Sequence, residues 1–235
     1  MLNIIFLCNT KCCTKVVYNE NMRLTPIVED ETYHIYNRGN QKQTLFRSER
    51  DYARMLFLIL FFQSPETFRN IGRQVDFFVN NGFFDAEKEK VISDRFVELI
   101  NFCLMPNHFH MTVRNVTDDG IPTYLHRIQN AYGRYFNTRY EKTGHVFQGT
   151  YKAKRISSDG QLQHLSAYIH KNPKEIKNVK SIEDYPWSSY PDHVQQNRWG
   201  NLIVPDIILG GYTSKEKYKN FVKTSTAKEL DNNFT

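Results

Sequence analysis

Long apolar runs are missing from this chain of 235 residues. The most extended, Met55–Phe62, falls far short of the ~20 residues that a membrane-crossing helix needs. The opening "MLNIIFLCNT" is only briefly apolar, has no basic leader and runs into Lys11. That is too weak for a signal peptide, so the cytoplasm is the expected compartment and no membrane partner is expected. Cysteine is scarce: Cys8, Cys12 and Cys13 crowd one end in no familiar zinc spacing, and Cys103 stands alone in an apolar run. Four such residues exclude a disulfide framework and suit a reduced, intracellular chain. Internal repeats and low-complexity tracts are also absent. Acidic residues are outnumbered, 25 against 31 basic, and the net charge of +6 favours polyanionic partners.

What is present is an ordinary globular composition, 40% hydrophobic and 24% charged, in a length that suits one domain with an extension or two small domains. The 14 Tyr and 17 Phe, combined with positive charge, fit single-stranded nucleic acid, whose bases stack and whose phosphates need neutralising. Residues 1–21 share little with the rest of the chain, and Met22 precedes a better-patterned start. They read as an amino-terminal appendage or an upstream extension of the reading frame. Residues 22–178 read as the main domain, and 179–235, with "DYPWSSY" and a helix opened by a Thr213–Glu216 capping box, as an accessory segment.

The β-prone string "TYHIYNRG" predicts a strand from Thr32 that ends in a turn at Gly39. Ser48 caps an apolar-periodic helix carrying Tyr52, Met55, Leu56 and Ile59 on one stripe. Residues 63–94 are polar and irregular, a loop or helical insertion. "FVELINFCLM" and "HFHMTVRN" predict two strands joined at Pro106-Asn107. Leu125, Ile128, Tyr132 and Phe136 predict a helix over 121–142. "VFQGTYKAKRI" predicts a further strand, and a helix follows from Asp159 to Asn172, where Pro173 stops it. The order strand, helix, strand, strand, helix, strand predicts an α+β, ferredoxin-like split βαβ fold with a C-terminal helical extension. In that fold an antiparallel sheet has helices on one face and leaves the other open.

Residues two apart on a strand share a face, so His108, His110 and Thr112 lie together, opposite Phe109, Met111 and Val113. The apolar set belongs under the helices and the histidines on the open face. Two such imidazoles can reach one metal ion, although an isolated pair of this kind is more often two half-exposed side chains with no task. A third ligand must come from elsewhere. On the last helix, His164, Tyr168 and Asn172 recur at intervals of four, beside the apolar stripe of Leu162, Leu165 and Ile169. Asn172 offers an amide oxygen, and His164 is a second-choice ligand by geometry alone. A tyrosine beside a metal-bound phosphate can serve as a nucleophile, although helix-border tyrosines are usually packing.

The strings "YHIYNRGN", "LMPNHFHMTV", "YFNTRYEKTGHVFQGTYKAKRI", "LSAYIHKNP" and "YPWSSY" occur in the order seen in the REP-associated branch of the single-tyrosine, His-hydrophobe-His transposases. The chain resembles that family over roughly residues 22–225. The resemblance implies a nuclease domain that cuts single-stranded DNA with one tyrosine, which becomes joined to the 5′ phosphate with help from a divalent metal. It implies metal ligation by His108, His110 and Asn172 (glutamine in some relatives) and nucleophilic attack by Tyr168. The metal expected is Mg2+ or Mn2+ rather than zinc, because its task is phosphate neutralisation and one donor is an amide.

Arg127, Arg134, Arg139, Lys152, Lys154 and Arg155, interleaved with aromatics, suit a DNA-binding groove, and Arg38 is a further phosphate or base contact. The expected partner is single-stranded or hairpin DNA, bound by a monomer or homodimer. Two rivals remain: an inactive relative that only grips DNA hairpins, and a metal phosphodiesterase that uses water.

Overall fold

The computed structural model describes residues 26–226, together with the backbone of an antiparallel pair, β1 (Ile4–Asn9) and β2 (Cys12–Val17). The remainder of 1–21, read from sequence as an appendage, lies outside the described residues. The main sheet contains β3 (Thr32–Arg38), β4 (Val97–Met105), β5 (His108–Asn115) and β6 (Lys152–Arg155) in the order β4-β5-β3-β6, with every pair antiparallel. That order is the one a split βαβ fold produces, because the first strand slots between the third and the fourth.

Two helices, α1 (Glu49–Phe61) and α4 (Gly120–Arg139), pack on one face. Asp51 sets the start of α1 by accepting the amides of Arg47 and Ser48. Apolar residues from Met55 to Phe62 are then buried without interruption, so the helix is wrapped on more than one side. Residues 63–94 are a helical insertion, with α2 (Ile71–Asn81) and α3 (Glu89–Ser93). Phe68 and Phe84 meet Phe57 and Phe61 edge to face, which ties the insertion to α1.

Helix α5 (Asp159–Lys171) starts where the Ser158 hydroxyl accepts the Gln161 amide, and Pro173 ends it. Contrary to the sequence expectation, the second sheet face is not open. Helix α5 lies across it against β4 and β5, burying Leu162, Leu165, Tyr168 and Ile169. A β-bulge between Leu99 and Asn101 turns Asn101 to this side, where its amide donates to the Ser166 hydroxyl of α5.

The accessory segment contains α6 (Tyr190–Val194), α7 (Asp206–Leu209) and α8 (Lys215–Thr224). Its backbone continues the sheet: Leu104 donates to the Trp187 carbonyl, and Ser189 donates to that of Phe102. The exposed edge of β4 is thereby covered. Helix α8 is capped by Ser214, which accepts the Lys217 amide, one residue later than the capping box expected at Thr213. The last sheet strand is shorter than predicted. Phe147 makes only an isolated bridge to Gly39, and the chain turns at Gly149 with φ 65°, so pairing resumes at Lys152. No helix among the described residues is long and apolar enough to cross a membrane.

Candidate active site

Strand register decides which side chains meet. Arg38 stands opposite His108, Tyr36 opposite His110 and Lys152, and His34 opposite Thr112 and Lys154. With alternation along each strand, all of these project from the face under α5. Phe109 belongs to the other side, packed on Phe147, which in turn meets Tyr132 of α4.

The two imidazoles of the motif are held separately. His108 Nδ1 lies 2.7 Å from Asn107 Oδ1, while Asn107 Nδ2 donates to the Lys42 carbonyl at 3.4 Å. The amide oxygen can only accept, so His108 Nδ1 carries the proton. His110 Nδ1 lies 2.9 Å from His34 Nε2, with the two rings stacked at 5.2 Å. His34 is 1% exposed and His110 4%, so this contact is sealed from water. Burial, reinforced by the Lys154 ammonium, pushes the His34 pKa down to about 3, and the ring is neutral at ordinary pH. The sequence reading missed His34; its one signal was a place in strict alternation with Tyr36 and Arg38.

Helix α5 brings the tyrosine. The Tyr168 ring stands edge-on to His110 at 5.4 Å and to His34 at 6.4 Å. One turn on, Asn172 Nδ2 donates to the Tyr168 carbonyl at 3.0 Å, which turns its Oδ1 away from the helix backbone. Tyr36, Arg38, His108, His110, Gln148, Lys152, Tyr168, Asn172 and Glu175 line one cleft of about 530 Å³. Among the described residues no three His, Cys, Asp or Glu side chains converge as a metal site, so two imidazoles would need the Asn172 amide as third donor. Imidazoles engaged through Nδ1 and a helix-anchored amide oxygen suit a divalent ion such as Mn2+ or Mg2+. His164 is excluded from that set: it is exposed and packs on Phe221 at 5.4 Å, away from the cleft.

The basic residues divide between two faces rather than forming one groove. Arg38 and Lys152 line the histidine cleft, and Lys154 shares its face, while Arg155 is paired with Glu31. Arg127, Arg134 and Arg139 belong instead to a hollow of about 960 Å³ between α1 and α4, with Arg50, Arg54 and Tyr135. Within it, Arg127 lies over the Phe62 ring and donates to the carbonyls of Ser64 and Glu66. Arg139 Nε is 3.5 Å from the buried carboxylate of Asp51, and Arg134 is exposed.

Residues 84–172 match the protein family described as "Transposase IS200 like". No curated protein matches the chain in sequence. Among solved structures, that of a REP-associated tyrosine transposase bound to a REP hairpin is similar, with a TM-score of 0.50 and 16% identity. The similarity spans 81% of this chain and 93% of that one, and it shows a shared fold. A crystal structure described as a "putative transposase from deinococcus radiodurans r1" matches at a TM-score of 0.34 and 14% identity, over 64% of this chain and 96% of that one.

Proposed function

We propose, from the match of residues 84–172 to the IS200-like transposase family, that this protein is a transposase that nicks and rejoins single-stranded DNA through Tyr168. The observation that carries this reading is the convergence of His108, His110, Tyr168 and Asn172 in one cleft, from segments some sixty residues apart. On this reading the nuclease domain spans 22–178 and the accessory segment 179–235, whose described residues, 179–226, brace it.

The Tyr168 hydroxyl attacks the scissile phosphorus in line with the bond to the 3′ oxygen. A bond forms from the phenolic oxygen to phosphorus, and the bond from phosphorus to the 3′ oxygen breaks. The phenolic proton passes to solvent, and the departing oxygen takes up a proton to become a 3′ hydroxyl. A 5′ phosphotyrosine remains, and a returning 3′ hydroxyl reverses the exchange, which rejoins the strand. His108, His110 and Asn172 would hold a divalent Mg2+ or Mn2+, which supplies neutralisation of the phosphate charge. Arg38 and Lys152 line the same cleft as cations for flanking phosphates, and Tyr36 offers a ring to an unpaired base. Tyr168 meets His110 of its own chain, which supports attack in cis. Hairpin DNA, the ligand of the similar solved structure, is the proposed partner.

The test is incubation with hairpin-bearing single-stranded oligonucleotides and Mn2+, followed by denaturing electrophoresis. A denaturation-resistant protein–DNA adduct is expected, and it is lost in Tyr168→Phe. An adduct that survives the substitution overturns the nucleophile assignment; cleavage without adduct indicates a water-using phosphodiesterase, and binding alone a hairpin-binding relative.

A further inference from the structure

We infer that His34 and Asn107 are positioning residues that fix His110 and His108 in the Nδ1–H tautomer, which leaves Nε2 as the nitrogen with a lone pair on both rings. An imidazole coordinates a cation through a nitrogen that carries no proton, so the tautomer decides which ring atom can bind. The hydrogen-bond partner of the other nitrogen sets that choice.

For His108 the direction follows from a chain of contacts. Asn107 gives its N–H to the Lys42 carbonyl and keeps its oxygen for the imidazole, so the ring must donate from Nδ1. For His110 the partner is itself an imidazole, and either ring could be the donor across the 2.9 Å contact. The assignment of the proton to His110 rests on the proposed function, in which Nε2 of this ring faces a cation. His34 then accepts through Nε2, and its own proton lies on Nδ1. Both rings of this pair are buried and stacked, so the geometry is fixed from two directions and water does not compete. The partners differ in their attachment: Asn107 adjoins His108 in the same turn, whereas His34 comes from β3, one strand away. The β3–β5 register therefore places both an imidazole and the group that orients it.

The test uses the full-length, metal-free protein, whose imidazole nitrogens are read by long-range proton–nitrogen correlation. Nδ1–H signals with unprotonated Nε2 are expected for His108 and His110, and Nε2–H on His110 overturns the inference at that ring. His34→Phe keeps a stacked ring but removes the acceptor. It is expected to abolish the His110 tautomer preference and to weaken Mn2+ binding about 10–100-fold, the usual effect of losing such a partner. His34→Gln restores an acceptor and is expected to regain most of that affinity. Unchanged Mn2+ affinity in His34→Phe, or equal losses in the two variants, overturns the positioning role. If His34→Phe fails to fold, as judged by circular dichroism, the wild-type tautomers and His34→Gln decide. The tautomers are read without DNA. Correct tautomers with no adduct therefore overturn the transposase reading alone, and an adduct with Nε2–H on His110 overturns this inference alone.

Discussion

At the scale of single residues, two arginines of α4 illustrate how identical chemistry parts in three dimensions. Arg127 spends its guanidinium on the carbonyls of Ser64 and Glu66 and on the face of Phe62, so it pins the start of the insertion. Arg134, seven residues on, is exposed. Arg127→Ala is expected to cost about 1–3 kcal/mol, because it strands two carbonyls, with little change in the salt dependence of DNA binding. Arg134→Ala is expected to leave stability within about 0.5 kcal/mol and, if the hollow contacts phosphate, to reduce the salt slope by about 1. Urea denaturation and salt titration of binding separate the two. The motif residues were legible only in part: spacing put His108 with His110 and Tyr168 with Asn172 but left each pair open between a site and ordinary packing, and the five resembling blocks singled them out. His34 was not legible, because the contact that gives it meaning is to a residue 76 positions away.

At the scale of elements, the boundaries that carried local chemistry could be read from the chain. Ser158 and Pro173 bracket α5, and the turn at Pro106-Asn107 sets the hairpin that presents both histidines. What could not be read was where α5 goes, since periodicity reports that a stripe is apolar and not which surface buries it. It is held by a sealed polar network: the Tyr218 hydroxyl contacts His170 Nδ1 at 2.6 Å and Ser166 Oγ, and His170 Nε2 contacts Ser189 Oγ at 3.0 Å. The accessory segment thus grips the helix that bears Tyr168. Tyr218→Phe is expected to destabilise the protein by about 1–3 kcal/mol, because it leaves a buried imidazole nitrogen without its partner. Faster hydrogen exchange along α5 than elsewhere would locate the loosening there, and unchanged α5 protection would sink the idea that this network holds it.

At the scale of the whole molecule, three wholly buried histidines tie stability to pH. Burial holds His34 at about 3, His193 at about 4 and His170 well below its ordinary value. Each is neutral when folded yet takes up a proton near ~6.5 when unfolded. The unfolded state therefore binds more protons below that pH, and stability rises with pH across this window. Acidification from pH 6.5 toward 4 is expected to lower the urea midpoint progressively. A midpoint that stays flat over this range would show that these rings are already charged in the fold. The overall architecture was legible from element order, whereas the covered second face depends on contacts that only the assembled chain makes.

The set of donors proposed for the ion has a consequence for how it binds. Two neutral imidazoles and an amide contribute no formal charge, so a divalent ion held there keeps both of its positive charges for the phosphate. Held by neutral groups alone, such an ion binds weakly, and an incoming nucleic acid strand supplies the missing anion. Ion and strand are then reciprocally coupled, each raising the affinity of the other by the same factor. Titration calorimetry is expected to show tighter Mn2+ binding to the complex of protein and single-stranded DNA than to protein alone. Asn172→Asp is expected to reverse the pattern, with a firmer grip on the ion in the empty cleft and less gained when the strand arrives.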